Sequence, residues 1–434
     1  MASEPPTGAY IPSTFDTEPR SAAGLPLALI QQWRDTGQSH EDARRLLGRF
    51  AVRGYSVVSD SAGLTKLSQR LGLLEVLALI DRPKRILHAR TRAIGGEAVG
   101  VWAADNAQMF HPESADAGVL LSALLKVQDE IERSCRVRIG IGAHCGSFYG
   151  LAGGLYGPEA DAIEDIAENH TEGGELVVTG AVVDRLPPDH AFVLRRKDGP
   201  ESLVGAVYQV LDGPRPEDVR PVTEDLRYPI PYSAAFYADL LRLERRPEDV
   251  ELARRLAAEH LQDRTVVLVE RSVAPAETPE LGLLRGLALS AVLRETGLRL
   301  MPARGAVEVK IAGPLALYLF EEAAPAVRFA QGLRAGLAEY EIVCRIGVAA
   351  GPVLAGETPG GGWDIAGAPV NLASKMAQDL GGPGRVYLSE AVHERLSEAG
   401  CEGLDEAGCE RAPLDGFAAV QRTVSGVQLT FFEG

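Results

Sequence analysis

Short runs of β-branched and other apolar residues alternate along this chain with longer segments in which apolar residues recur every three or four positions. The short runs predict buried strands, and the longer segments predict amphipathic helices. In the first half the predicted strands lie at 55–59, 136–141 and 175–179, with a hairpin at 94–110. A glycine-rich turn is predicted after residue 141, followed by a helix that begins at Pro158.

The same order of predicted elements returns in the second half, beginning with a strand at 265–269. Matching anchors of the two halves are Gly146 with Gly351, Gly157 with Gly367, Gly174 with Gly384, and Phe110 with Phe320. The interval from Gly157 to Gly174 is 17 residues, and the interval between their counterparts is also 17. Because two unrelated units would not usually keep that spacing, the pattern indicates a diverged internal duplication.

Hairpins that alternate with helices predict an α+β fold, in which each half forms a mixed sheet with flanking helices. The segment between the halves is Pro-rich and charged, as is typical of a linker, and its apolar periodicity predicts helices within it. The predicted divisions are a disordered lead and helical segment at 1–48, a first domain at 49–213, a linker at 214–263 and a second domain at 264–434.

Composition argues against several classes of protein. The net charge of −16 and the pI of about 5.1 argue against a general nucleic-acid binder. The chain has no run of eighteen apolar residues, and its polar, Pro-rich start lacks the apolar segment of a signal peptide, so no membrane partner is expected. The five cysteines are scattered and odd in number, which is typical of reduced thiols in a cytoplasmic protein.

The stretch from Trp363 to Ser389 carries the clearest candidate chemistry. Pro369 suits the first turn of a helix, and Asn371 and Lys375 are four residues apart, so both point from the same face of that helix. Asp364 lies in the turn that leads to it. A carboxylate, an amide and a cation in one place could bind a base, a sugar and a phosphate, whereas the simpler interpretation is a surface helix with a buried Asn.

The pattern Asp-x-x-Gly-x-x-Val-Asn-x-Ala-Ser-Lys at 364–375 resembles the hallmark of the class III nucleotide cyclases, the adenylyl and guanylyl cyclases. The resemblance covers about 49–212 and 265–432. It implies two ferredoxin-like cyclase homology domains that form an intramolecular pseudo-twofold heterodimer, so that the chain would function as a monomer. In this family the site lies in the groove between two such domains.

The first half resembles the face of the family that holds metal ions. SDSAGLT is similar to the family's Asp-x-x-Gly-Phe-Thr, so Asp60 is the first expected ligand of two Mg²⁺ or Mn²⁺ ions. The second is Asp105 in WAADN, although an alignment that places Gly96 at the hairpin tip would lose this acid. The residues expected to hold the phosphates next to Asp60 are Ser61, Ala62, Gly63, Leu64 and Thr65.

The second half resembles the face that reads the purine. Lys310 and Asp364 match the residues that contact adenine, Asn371 would orient the ribose, and Lys375 takes the place of the transition-state Arg. The corresponding positions of the first half are occupied by Val101, Gly154, Asp161 and Asp165. In the second half Glu270 and Pro314 stand where the metal ligands are expected, so each half lacks what the other carries.

The resemblance therefore implies a soluble adenylyl cyclase that converts ATP to 3′,5′-cyclic AMP and pyrophosphate at one composite site. The second site would be degenerate and could hold a small-molecule effector. Two alternatives stay open at this point. One is an impaired pseudo-cyclase that binds a purine nucleotide or effector and acts as a sensor, and the other is an interaction module without nucleotide binding.

Overall fold

The computed structural model describes residues 25–61, 71–100, 106–197, 204–216, 233–272, 276–357, 363–399, 417–424 and 427–434. The described residues of 41–256 form one compact unit, and those of 25–40 together with 257–434 form the other. Ala62, Gly63, Leu64, Thr65 and Asp105 lie outside the described residues.

The described part of the first unit is built around an eight-stranded mixed sheet. Its elements are α2 (His40–Leu47), β1 (Ala51–Ser61), α3 (Leu73–Arg92), β2 (Glu97–Ala98), β3 (Ala107–Pro112), α4 (Ala117–Ser134), β4 (Ile139–Leu151), β5 (Gly154–Tyr156), α5 (Pro158–Asn169), β6 (Leu176–Thr179), α6 (Gly180–Val183), β7 (Val193–Arg196), β8 (Val207–Asp212) and α7 (Ala234–Arg245). The strand order is β2-β3-β1-β4-β6-β8-β7, and β5 pairs with β4. Apolar side chains from α4 and the central strands form the main core.

The second unit repeats this architecture. The helix α1 (Leu27–Arg34) packs on it, and α8 (Val250–His260) leads into its first strand. Its other elements are β9 (Leu261–Arg271), α9 (Pro279–Leu300), β10 (Ala306–Ala312), β11 (Leu315–Phe320), α10 (Ala323–Ala338), β12 (Cys344–Glu357), β13 (Trp363–Ala366), α11 (Ala368–Lys375), a π-helical turn (Met376–Leu380), β14 (Val386–Ser389), α12 (Glu390–Glu398), β15 (Ala418–Val424) and β16 (Val427–Glu433). The strand order is β10-β11-β9-β12-β14-β16-β15, and β13 pairs with β12. The predicted α+β class and the internal repeat are thereby confirmed.

The strand registers show which residues of the two units correspond. In the first unit Ile141 pairs with Leu176 and lies opposite Ser59, while in the second unit Ile346 pairs with Val386 and lies opposite Val269. The next residue along β1 is Asp60, and the next along β9 is Glu270. These two acids therefore occupy equivalent positions.

One predicted anchor is wrong by a single residue. Ala107 lies opposite Ser59, and Ala316 lies opposite the equivalent Val269. Phe110 lies three residues after Ala107, and Leu319 lies three residues after Ala316. Leu319, rather than Phe320, is therefore the counterpart of Phe110. The equal glycine spacing around α5 and α11 does not fix the alignment of β3 with β11, because loops between these elements can differ in length.

A second difference concerns the predicted turn after residue 141. The strand β4 continues to Leu151, and its residues stay paired with β1 through Gly146 and Tyr149. Gly146 lies opposite Gly54, where no side chain is needed for the pairing. The glycines therefore mark paired positions without side chains inside β4 and β1. The chain turns only at the end of β4.

The helix α11 lies directly on the central strand β12. Ala373 is fully buried, and a Cβ atom added at Gly347 would lie 2.1 Å from the carbonyl oxygen of Ala373. Met376 and Ala377 are also fully buried and belong to the same apolar cluster. The absence of a side chain at Gly347 thus allows the backbones of helix and strand to approach closely.

We expect Gly347→Ala to destabilise the second unit by about 1–3 kcal/mol, because the added methyl group must push α11 away from β12. Such a change should lower its thermal unfolding midpoint by roughly 2–10 °C. The matched control is Gly356→Ala on the same strand, where an added Cβ would meet nothing within 4 Å. Equal midpoints for the two variants, measured by calorimetry, would contradict the close-packing argument.

Candidate functional site

A lysine and an aspartate from separate strands meet at one edge of the second unit. Lys310 lies on β10 opposite Leu317, and Asp364 lies on β13 opposite Gly356. The Lys310 Nζ donates a hydrogen bond to Asp364 Oδ1 at 3.4 Å, although the residues are 54 apart in the chain. The structure therefore brings together the two side chains that the sequence assigned to purine recognition.

The burial of this pair suits a binding role. The Asp364 side chain is 11% exposed, and the Lys310 side chain is 44% exposed. Because an ammonium group has three donors, one long hydrogen bond leaves it able to donate to a ligand. The pair can thus offer a donor and an acceptor side by side.

Asn371 and Lys375 lie one turn apart on α11, the helix that follows Asp364. The helix begins at Ala368 with Pro369 in its first turn, as the sequence predicts. Asn371 is exposed, and Lys375 is half-buried. The four predicted purine-side residues therefore belong to one unit, with Lys310 in contact with Asp364 and the other two on the adjoining helix.

The acid at the Asp60-equivalent position of the second unit is already paired with a cation. Glu270 lies opposite Arg345 and accepts a hydrogen bond from its guanidinium group. Arg345 Nη1 also donates to the carbonyl oxygen of Gln378 at 3.2 Å, in the π-helical turn after α11. Burial raises the pKa of the Glu270 carboxyl, and the charge of Arg345 opposes that rise. The Glu270 carboxylate thus has an internal cation as its partner.

The equivalent acid of the first unit, Asp60, has a different cross-strand neighbour. Asp60 is half-buried near the end of β1 and lies opposite Gly140, which has no side chain. Ser61 follows as the last, buried residue of the strand. The arginine that lies opposite Glu270 in the second unit is therefore replaced by glycine opposite Asp60.

The hairpin between β2 and β3 bears on the second predicted metal ligand. Gly96 precedes β2, and its N–H donates to the carbonyl oxygen of Thr91 at 2.9 Å, so it does not lie at the hairpin tip. Since Phe110 corresponds to Leu319, Asp105 and Pro314 each lie five residues before equivalent positions. Matching Phe110 to Phe320 would have left Asp105 and Pro314 one residue out of step. The observed register aligns them, and Asp105 remains the predicted ligand.

The first unit lacks a counterpart of the Lys310–Asp364 pair in its described residues. Gly154 on β5 corresponds to Asp364, because Leu155 and Ile365 occupy equivalent places in the two short hairpins. Gln108 is the counterpart of Leu317, the residue that lies opposite Lys310. Val99 lies opposite Gln108, and its N–H donates to the Gln108 carbonyl oxygen at 2.9 Å. Val101, which the sequence places at the position of the purine-contacting lysine, lies outside the described residues.

The helix α5 differs from α11 in charge. Asp161 and Asp165 are exposed on α5 at the positions of Asn371 and Lys375. Two carboxylates at these places would repel a triphosphate. The described residues of the first unit therefore do not reproduce the purine-side arrangement.

Sequence reasoning missed the Glu270–Arg345 pair. Both residues stand in apolar strand sequences, and their contact depends on the register of β9 against β12. Aligning the two halves strand by strand would have shown that Arg345 replaces Gly140. The π-helical turn after Lys375 was also missed, since the corresponding segment of α5 is an ordinary α-helix.

Comparison with known families gives one match. Residues 298–416 match the family described as Adenylate and Guanylate cyclase catalytic domain. No curated protein matches the chain. No helix of the described residues has the length and apolar character that crossing a membrane requires.

Several solved structures are similar to this chain. A class III adenylyl cyclase-like ATP-binding protein from Pseudomonas aeruginosa is 11% identical, with a TM-score of 0.50 over 82% of this chain and 88% of its own. The guanylate cyclase domain of RhGC from Catenaria anguillulae, solved in complex with GTP, is 18% identical, with a TM-score of 0.33 over 38% of this chain and 99% of its own. The adenylyl cyclase CyaB from Pseudomonas aeruginosa is 17% identical, with a TM-score of 0.32 over 38% of this chain and 97% of its own.

We expect Arg345→Ala to destabilise the second unit by about 1–2 kcal/mol near pH 8, because it leaves the Glu270 carboxylate without its guanidinium partner. The pKa of Glu270 would rise further above its ordinary value of 4.5. A carboxyl group whose pKa is raised by folding stabilises the folded state below its unfolded pKa and loses that contribution as the pH rises. The deficit of the variant should therefore grow from about pH 4 to about pH 8.

Thermal unfolding at several pH values measures this deficit, and the double variant Glu270→Gln/Arg345→Ala is the control. Without a titrating group at position 270, its difference from the wild type should vary much less with pH. A deficit in Arg345→Ala that stays constant across the range would contradict the assignment of this ion pair.

Proposed function

This chain belongs to the class III nucleotide cyclase family, with cyclase homology domains in tandem, and we propose that it is an adenylyl cyclase. The reaction converts ATP to 3′,5′-cyclic AMP and pyrophosphate. The ribose 3′-oxygen bonds to the α-phosphorus, the bond from that phosphorus to the departing pyrophosphate breaks, and the 3′-hydroxyl loses its proton. The observation that carries the proposal is the contact of Lys310 with Asp364.

The preference for adenine follows from the chemistry of this pair. The Lys310 ammonium group can donate to N1 of adenine, and the Asp364 carboxylate can accept from its 6-amino group. Guanine presents a donor at N1 and an acceptor at position 6, so both contacts would be mismatched. Leaving polar groups unpaired in this way discriminates strongly between ligands.

The side chains of α11 act on the sugar and the phosphates. Asn371 positions the ribose, and Lys375 places a positive charge beside the α-phosphate, where negative charge develops during the reaction. Lys375 provides one point charge, whereas an arginine would offer a planar pair of donors. Turnover is therefore expected to be slower than with arginine at this position.

The acids of the first unit complete the proposed site. Asp60, beside Gly140, and Asp105 would hold two Mg²⁺ or Mn²⁺ ions, and these ions, when bound, lower the pKa of the 3′-hydroxyl and neutralise the triphosphate. Backbone N–H groups from Ser61 to Thr65 would hold the phosphate oxygens. The two units thus contribute different groups to one composite site in a cytoplasmic, monomeric enzyme.

The proposed degeneracy of the second site rests on charge. The pairing of Glu270 with Arg345 and the proline at position 314 leave no acid pair for metal ions, and Asp161 and Asp165 would repel phosphates. A small-molecule effector without a triphosphate remains compatible with such a site.

A second candidate function is nucleotide sensing without turnover. Lys375 in place of arginine favours it, and the similar structure with a TM-score of 0.50 is described as a cyclase-like ATP-binding protein. Calorimetry separates the two functions: ATP binding without formation of cyclic AMP would indicate a sensor.

Purified protein with ATP and Mn²⁺ should form cyclic AMP, and Asp60→Ala should abolish that activity because the variant loses a metal ligand. Chromatography with mass detection of the product between about pH 6 and pH 9 measures it. The matched control is Glu270→Gln, which changes the equivalent acid of the second unit and should retain most of the activity. Absence of product throughout this range, or equal loss in both variants, would contradict the proposal.

Asp364→Asn should weaken ATP binding by roughly tenfold or more, since its amide group can no longer match the 6-amino group as a charged acceptor. The ratio of ATP to GTP affinity should fall with it. The control Asp379→Asn removes an exposed acid from the π-helical turn of the same unit and should leave both affinities unchanged. Titration calorimetry with non-cyclisable nucleotides measures them, and an unaltered ratio in Asp364→Asn would exclude this carboxylate as the base reader.

A further inference from the structure

The first unit has an arginine-rich cavity on the helical segment that precedes the second repeat. Its volume is about 640 Å³, and it lies between the end of α7 and the first turns of α8. The residues that line it are Arg242, Arg245, Arg246, Asp249, Glu251, Leu252 and Arg255. We call it the arginine cavity.

The apolar pattern of α7 explains why its arginines face the cavity. Leu240 and Leu243 are fully buried and fix the inner face of the helix. Arg242, Arg245 and Arg246 therefore fall on the exposed side, at the end of the helix. The turn that follows adds Arg255 from α8 to the same concave surface.

The cavity has an excess of positive charge in a protein whose net charge is −16. Four guanidinium groups line it, against two carboxylates. Asp249 accepts a hydrogen bond from the Leu252 N–H at 2.9 Å and caps α8, and Glu251 pairs with Arg254 at 2.7 Å. Arg242 also pairs with Asp239, at 2.7 Å. The lining itself still contains two more guanidinium groups than carboxylates.

The dipole of α7 accounts for part of this arrangement. Basic residues near the end of a helix are stabilising, which explains Arg242 and Arg245. It does not explain Arg255, which lies within α8, nor the convergence of both helices on one cavity. A ligand that carries several negative charges would account for this convergence.

The arginines stand on a fixed support. Glu244, next to Arg245, points the other way and pairs with Arg82 of α3 at 3.5 Å and with Arg85 at 2.5 Å. The Tyr237 hydroxyl donates to the buried carboxylate of Asp81 at 3.1 Å. These contacts hold α7 against α3, so the cavity is organised before a ligand arrives.

We propose that the arginine cavity binds a small molecule bearing a diphosphate or triphosphate group. Guanidinium groups bind phosphate oxygens through paired hydrogen bonds, and several of them suit a chain of phosphates. The volume is within the range of small-molecule sites, and the one apolar lining residue, Leu252, offers little surface for a large hydrophobic group. This site is separate from the proposed nucleotide site and does not depend on it.

The test uses the full chain, free of divalent metal, titrated with sodium tripolyphosphate in a calorimeter. The wild type should bind, and Arg245→Gln/Arg246→Gln should bind at least tenfold more weakly. Arg133→Gln/Arg138→Gln, which removes the same charge from two exposed positions outside the cavity, should bind like the wild type. Circular dichroism checks that each variant is folded.

Further arms identify the ligand and separate this site from the proposed nucleotide site. ATP and pyrophosphate should compete with tripolyphosphate at the cavity, whereas AMP should compete at least tenfold more weakly, since it has a single phosphate. Lys375→Gln, at the proposed nucleotide site, should leave unchanged the part of tripolyphosphate binding that is lost in Arg245→Gln/Arg246→Gln. No binding by the wild type, equal loss in the two arginine double variants, or competition only by an acidic peptide would overturn the proposal, whether or not the protein forms cyclic AMP.

Discussion

The long antiparallel pairing of the two central strands in each unit is the constraint on which the other features depend. In the first unit β1 pairs with β4, and in the second β9 pairs with β12, in each case over eleven residue pairs. This register decides which side chains face each other near the ends of the strands, and it places α11 against Gly347. Because a shift by one residue turns every side chain to the other face, such pairings tolerate little change.

The two units keep this frame and differ in the charges placed on it. At one pair of equivalent cross-strand positions, Asp60 faces Gly140 in the first unit and Glu270 faces Arg345 in the second. The neighbouring strand therefore presents glycine to the acid of the first unit and an ion-pairing arginine to the acid of the second. The Lys310–Asp364 contact shows the opposite distribution, because its counterpart in the first unit includes Gly154.

The sequence was sufficient for the order of elements, the repeat and the pairing of Lys310 with Asp364, since each depends on local periodicity or on a motif. It was insufficient where a result depends on register between distant strands. The match of Phe110 to Phe320 was off by one residue, and Arg345 gave no local indication that it faces Glu270. The extension of β4 past Gly146 was missed because glycines usually mark turns.

The central claim is that the first unit binds the metal ions and the second unit binds the purine. A crystal structure with Mn²⁺ and a 3′-deoxy analogue of ATP, with anomalous scattering to locate manganese, tests it most directly. The account predicts manganese at the carboxylate of Asp60 and adenine within hydrogen-bond distance of Lys310 and Asp364. Manganese bound at Glu270, or adenine bound beside Gly154, would contradict it.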